Sequence, residues 1–167
     1  MSSKIKTITS KIFSSPEDPS FQKKLNYWRF MEEKLVFTNG CFDILHLGHV
    51  DYLSRAADLG DVLIVGLNTD DSVSLIKGPE RPFNNQQARA SLLASLFFVD
   101  AVVLFHQETP YELIKTVQPD VLVKGSDYKE EEIAGRDIVK ARKGQVVTID
   151  LLPEYSTSGL LEKLKKK

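Results

Sequence analysis

The sequence is short of the residues that build several kinds of protein. Its one cysteine, Cys41, excludes an intramolecular disulfide framework. One thiol and three histidines are also too few for a structural zinc cluster of the usual kind, so a reducing, cytoplasmic setting is expected. Long apolar runs are missing: nothing approaches the roughly 20 residues that span a bilayer. No run of signal-peptide length follows Lys4, Lys6 and Lys11, so a soluble, unexported chain with no membrane partner is expected. Charge of one sign is lacking too. Lys and Arg number 22 against 23 Asp and Glu, mixed along the chain, which leaves no overall electrostatic footprint for nucleic acid. What is present is 42% hydrophobic content over 167 residues, enough for one core and too short for a second catalytic domain.

Residues 1 to about 20 are rich in Ser, Thr and Lys and close on Ser14-Ser15-Pro16-Glu17-Asp18-Pro19, which breaks regular structure and reads as a partly disordered arm. Leu25, Trp28 and Met31 have roughly helical spacing, which predicts a short amphipathic helix docked on the main body. The division expected is therefore an arm and short helix over 1–33 and a main domain over 34–167. From there, β-branched apolar runs at 35–37, 62–65, 101–104, 121–123 and 146–149 alternate with helical patterns at about 47–59, 85–97, 109–117, 131–142 and 157–166. Continuous apolar runs imply strands covered on both faces. The fold class expected is α/β, a doubly wound five-stranded parallel sheet with right-handed crossovers. Ligands in such sheets bind outside the carboxyl ends of the strands, so the segments just after each run are where chemistry belongs.

Two of the three histidines lie after the first run, in Thr38-Asn39-Gly40-Cys41-Phe42-Asp43-Ile44-Leu45-His46-Leu47-Gly48-His49. A spacing of three sets His46 and His49 on one side of a first helical turn, where free N–H groups and the helix dipole favour an anion. Gly48 between them removes a side chain that would obstruct a phosphate. A single histidine at a helix start commonly caps or packs; two around a glycine point to stabilisation of charge during phosphoryl transfer. Helical zinc pairs are spaced by four with an intervening glutamate, which is absent, so no metal ligand is assigned to protein side chains. Lys77-Gly78-Pro79-Glu80-Arg81-Pro82 reads as a loop at the ligand edge, with Lys77 a mobile point charge and Arg81 a bidentate one. By composition Arg89 is an ordinary surface residue, and Asn68 and Asp70 are turn formers. Lys124 could bind phosphate, Gly125 would admit close backbone approach, and Asp127 could hold a sugar hydroxyl or a magnesium-bound water. Ser156 and Thr157 open the last predicted helix as N-caps and as an anion site. Nothing beside Cys41 would lower its pKa, so it is read as packing, and Asp43 as a group that orients a histidine or a substrate hydroxyl.

The segment with His46, Gly48 and His49 resembles the cytidylyltransferase-like nucleotidyltransferase superfamily. Together with Thr38 to Asp43, Lys77-Gly78-x-x-Arg81-Pro82 and Val123-Lys124-Gly125-x-Asp127-Tyr128, it is similar to the heptose-1-phosphate adenylyltransferases that make ADP-heptose for lipopolysaccharide, from about residue 34 onward. That resemblance implies a Rossmann-like nucleotidyltransferase fold and transfer of AMP from ATP, carried with Mg²⁺, to a sugar 1-phosphate with loss of pyrophosphate. It implies His46, His49 and Lys77 as catalytic. Nucleotide contacts would come from Thr38, Asn39, Gly40, Phe42, Gly48, Asn68, Asp70, Arg81, Arg89, Lys124, Gly125, Ser156 and Thr157, and acceptor contacts from Asp43, Asp127 and Tyr128. A homodimer and a separate sugar kinase are implied as well. A cytidylyltransferase acting on glycerol 3-phosphate shares the histidine motif, and a non-catalytic nucleotide-binding module is the alternative of another class. The chain departs from the superfamily in its last element, Ser-Ser-Thr-x-x-Arg, because no arginine follows Arg142.

Overall fold

A computed structural model describes residues 3–153 and Tyr155. Six parallel strands form one sheet: β1 (Ile12–Phe13), β2 (Leu35–Gly40), β3 (Val62–Asn68), β4 (Ala101–Phe105), β5 (Val121–Gly125) and β6 (Gln145–Ile149), in the order β1-β4-β3-β2-β5-β6. Alternate side chains of each strand go to opposite faces, as the period of two requires. On one face Leu35, Phe37, Ile64, Val103 and Leu122 pack with α2 (Pro19–Phe30), α6 (Tyr111–Val117) and α7 (Arg136–Ala141). On the other, Val36, Leu63, Val65, Val102 and Val121 pack with α3 (Leu47–Ala57) and α5 (Gln86–Ser95). The doubly wound parallel sheet expected from the apolar runs is therefore present, and each of the five runs is a strand.

The sixth strand comes from the segment read as an arm. Helix α1 (Lys4–Thr9) leads into β1, which pairs Ile12 with Val102 and Phe13 with Val103, and Val102 N–H donates to Lys11 O at 2.8 Å. Phe13 is buried against Phe21, ring centroids 5.3 Å apart, and Phe21 and Leu25 of α2 are buried in the same cluster as Phe37 and Ile64. A two-residue strand carries no periodicity. What holds it is one pair of edge hydrogen bonds and a single buried aromatic, neither of which is a pattern in sequence.

Two further differences concern the ligand edge. Residues 70–77, where no helix was expected, form helix α4 (Asp70–Lys77), because Thr69 caps Ser72 N–H at 3.4 Å and Asp70 and Asp71 sit at the positive end of the dipole. It stops at Gly78, whose φ of 99° glycine adopts freely. The helix expected at 131–142 is instead a 3₁₀ turn (Glu130–Glu132) and α7, separated by Gly135 at φ 84°. The helix expected at 157–166 lies outside the described residues.

Candidate active site

Strands β2, β3 and β4 build the sheet in one direction and β5 and β6 in the other, so the switch point lies between the carboxyl ends of β2 and β5. There Asn39 and Lys124, 85 positions apart, meet: the Lys124 ammonium donates to Asn39 Oδ1 at 2.6 Å. Lys124 is 8% exposed and lies 5.0 Å from the Tyr128 ring centroid. Desolvation pushes it down from 10.5 to about 8, against the opposing charges of Asp127 and Cys41. One strand over, Thr38 is fully buried and shares a hydrogen bond of 2.7 Å with the Tyr52 hydroxyl of α3, which ties the floor of the site to the helix carrying His49.

His46 is the N-cap residue of α3, extended at φ −141°, and His49 lies one turn inside. The two rings stack at 3.8 Å between centroids and 23° between planes, with Phe42 edge-on to His49 at 5.2 Å. Burial lowers both imidazoles, His49 to about 4 with His46 and then Lys77 adding to the effect, so both are neutral at pH 7. Nδ1 of each ring is buried without a protein partner. An orphaned acceptor costs less than an orphaned N–H, which favours the tautomer with the proton on Nε2 and leaves each ring one donor. Gly48 keeps this turn open: a Cβ would lie 3.0 Å from Tyr155 Cβ and 3.1 Å from His46 Nδ1, so its neighbours would have to give way.

Two clefts open at this edge and share the wall of Asn39, Gly40, Cys41, Lys77, Lys124 and Tyr128. The smaller, about 210 Å³, adds Phe42, His49, Tyr52, Gly125 and Asp127, and the larger, about 340 Å³, adds Asn68 and the segment 108–110. A cleft of about 540 Å³ lies at the amino ends of β2 and β5, lined by Arg29, Lys34, Asp120 and Arg142. It is larger but stands away from every motif residue, and strand polarity favours the carboxyl edge for the chemistry. Lys77, the exposed last residue of α4, overhangs the shared wall. A Cβ on Gly125 would displace the exposed Asp127 carboxylate from its place at the cleft.

Three motif residues hold the wall in place: Arg89 from behind it, and Asp43 and Asn68 as part of the lining of the smaller and the larger cleft. Arg89, read from composition as a surface residue, is 1% exposed. It donates to Asn84 O at 2.9 Å, Cys41 O at 2.5 Å, Asn68 O at 2.8 Å and Asp70 Oδ1 at 2.7 Å, and it lines neither cleft. The helix period does place it on the inward face, since Ala90, Leu93 and Ala94 are buried beside it; its charge is what argued for the surface. Asp43, also buried, accepts from Phe83 N–H at 2.7 Å and Asn84 N–H at 3.2 Å and faces Arg81 at 3.2 Å. That ion pair lies off the hydrogen-bond line, leaving Asp43 Oδ2 and Arg81 Nη1 unbonded. Asn68 Nδ2 donates to Ser72 at 2.9 Å. The sequence reading missed Tyr52, although its position three beyond His49 puts it on the same helix face. Burial raises the Cys41 thiol, consistent with packing. Ser156 and Thr157 lie outside the described residues. Among the described residues no three His, Cys, Asp or Glu side chains converge on a metal-holding group. No described helix is long and apolar enough to cross a membrane.

A doubly wound sheet with neutral paired imidazoles at a helix start and two lysines beside them at the switch point has the architecture of a nucleotidyltransferase. Comparison with known proteins gives the family: the cytidylyltransferase-like profile matches residues 37–161, and the chain belongs to that family. It is 51% identical over 145 residues to the bifunctional protein HldE of Methylobacillus flagellatus, covering 87% of this chain and 30% of that protein. It is 57% identical over 133 residues to the HldE of Nitratiruptor sp., covering 80% and 28%. The chain thus spans about 30% of the length of these relatives. Among solved structures, the lipopolysaccharide core biosynthesis protein from Thermoplasma volcanium aligns at a TM-score of 0.59 and 30% identity, over 72% of this chain and 97% of that one. A pantoate-beta-alanine ligase from Francisella tularensis, at 15% identity and a TM-score of 0.59, shares the fold.

Proposed function

We propose that the chain is an adenylyltransferase that moves AMP from ATP to a sugar 1-phosphate, with heptose 1-phosphate as the acceptor, and releases pyrophosphate. The observation that carries this reading is the neutral, stacked His46–His49 pair beside a wall holding both Lys77 and Lys124. Attack of an acceptor phosphate oxygen on the α-phosphorus builds negative charge on the non-bridging oxygens. Preorganised neutral donors and flanking cations stabilise that charge without moving a proton, and no covalent intermediate is needed. Half-identity to the HldE proteins and the agreement of the three heptose-type motifs favour this acceptor over an alcohol phosphate.

Magnesium fits as a group that rides on the triphosphate, since Mg²⁺ keeps most of its water and asks for one or two carboxylates, and the smaller cleft offers Asp127, with Asp43 beside it already facing Arg81. When bound, it would neutralise phosphate charge as a Lewis acid. Arg81 reaches phosphate by leaving Asp43, a pair already off-axis, whereas Arg89 acts through the carbonyls it holds. Homodimer formation and supply of the sugar phosphate by a separate kinase belong to the same proposal.

Pyrophosphate release with ATP or CTP, each against heptose 1-phosphate and glycerol 3-phosphate, tests the reading. Turnover with ATP and the sugar phosphate is expected. Preference for CTP with glycerol 3-phosphate would assign the chain to the cytidylyltransferases, and nucleotide binding with no pyrophosphate from any pair would refute an enzyme.

A further inference from the structure

The two clefts differ in what lines them beyond their common wall. The smaller is bounded by Phe42, Tyr52 and Leu151, with Gly125 leaving backbone bare, which suits a flat base and ribose. The larger continues from Lys77 and Lys124 to Asn68, Glu108, Thr109 and Glu132. Glu108 has no ion pair among the described residues, and Glu132 has one at 3.9 Å to Lys129. The larger cleft is therefore cationic where it meets the smaller and anionic at its far end.

Resting on the adenylyltransferase reading, we propose that the 340 Å³ cleft is the acceptor subsite and that Glu108 and Glu132 select a polyhydroxylated acceptor carrying its phosphate at one end. The acceptor phosphate sits against Lys77 and Lys124, at the wall both clefts share, from which its oxygen faces the nucleotide's α-phosphorus. The sugar ring then extends outward. Its hydroxyls donate to the two carboxylates, which accept only, with Thr109 and Asn68 offering mixed donors and acceptors. Glycerol phosphate carries only two hydroxyls, fewer than a sugar ring, so it gains less from the two carboxylates.

Glu108→Gln, Glu132→Gln and the double variant, assayed for pyrophosphate release with ATP, test this. A carboxylate hydrogen bond to a hydroxyl converts to a change of about tenfold. The double variant should raise the KM for heptose 1-phosphate by about tenfold or more, with a smaller change in the KM for ATP and in the KM for glycerol 3-phosphate. Equal changes for both acceptors, or a change confined to ATP, would overturn the assignment. Should the wild type release no pyrophosphate with any acceptor, the adenylyltransferase reading fails separately. Chemical-shift titration of mannose 1-phosphate in the presence of a non-hydrolysable ATP analogue then decides the subsite: about tenfold weaker binding by the double variant supports it, and equal affinity or no binding refutes it.

Discussion

Binding of a nucleoside triphosphate should draw a proton onto Lys124, and the extent of uptake follows from the burial of that side chain. Lys124 is 8% exposed, and its hydrogen-bond acceptor, Asn39 Oδ1 at 2.6 Å, is neutral. Desolvation takes its pKa from 10.5 to about 8, equivalent to about 3 kcal/mol against the ammonium. The displacement works against folding at neutral pH: the unfolded lysine holds its proton more tightly, so stability rises with pH between about 8 and 10.5. Phosphate oxygens at the shared wall would supply the missing anionic partner and return the group toward its ordinary value. Uptake should then be about a tenth of a proton at pH 7, about half at pH 8 and about nine-tenths at pH 9. Titration calorimetry of ATP in buffers of differing ionisation enthalpy counts these protons, and Lys124→Met isolates the contribution of this side chain. Uptake that is flat from pH 7 to 9, or that climbs equally in Lys124→Met, would refute the placement of Lys124 at the phosphates.

Three other outcomes follow from the same geometry. His46→Ala should lower turnover by about 100-fold or more with the circular dichroism spectrum preserved, and near-normal turnover would remove the pair from the mechanism. Because burial holds His49 at about 4, its imidazole resonances should keep their neutral-form positions from pH 7 down to about pH 5 in an NMR titration and move only below that; a midpoint near 6.5 would mean the imidazole is not desolvated. Arg89→Ala leaves the carbonyls of Cys41, Asn68 and Asn84 unpaired in the interior, a loss of about 3 kcal/mol read as a fall in Tm of about 6–12 °C, whereas a change under about 2 °C would show the tie to be dispensable.

Much of the site could be read from sequence because its cues are local. The strands are short apolar runs, the histidines flank a glycine at a helix start, and the motifs at 38–43 and 123–128 run off the ends of β2 and β5. The parts that could not be read are those created by distance. Arg89 has the composition of a surface helix residue, and what buries it is the coincidence of the Cys41 carbonyl with the Asn68 carbonyl and the Asp70 carboxylate, from two separate segments. Asp43 lines the smaller cleft and also pins residues 83 and 84, forty positions away, through their backbone N–H groups, a tie that no local cue announces. β1 was hidden because two residues cannot display a period.

The strand order explains why these long-range ties fall where they do. A switch between β2 and β5 leaves a gap at the carboxyl edge that no crossover helix covers, so the residues around it cannot rely on helix packing for position. The chain meets that need with one polar contact across the gap, Lys124 to Asn39, and three beside it: Arg89 to the ends of β2 and β3, Asp43 to the loop after α4, and Thr38 to Tyr52. Each of these joins the loop after β2 or its floor to another element, so the backbone that carries His46 and His49 is fixed from several directions before any ligand arrives. Two neutral imidazoles stacked at 3.8 Å hold no strong attraction for each other, and a donor array aimed at a developing charge is effective only when it does not have to reorganise. The buried polar residues around the cleft are thus best understood as the supports of the histidine pair, and the exposed lysines, of which Lys77 is one, as the groups free to follow the phosphates.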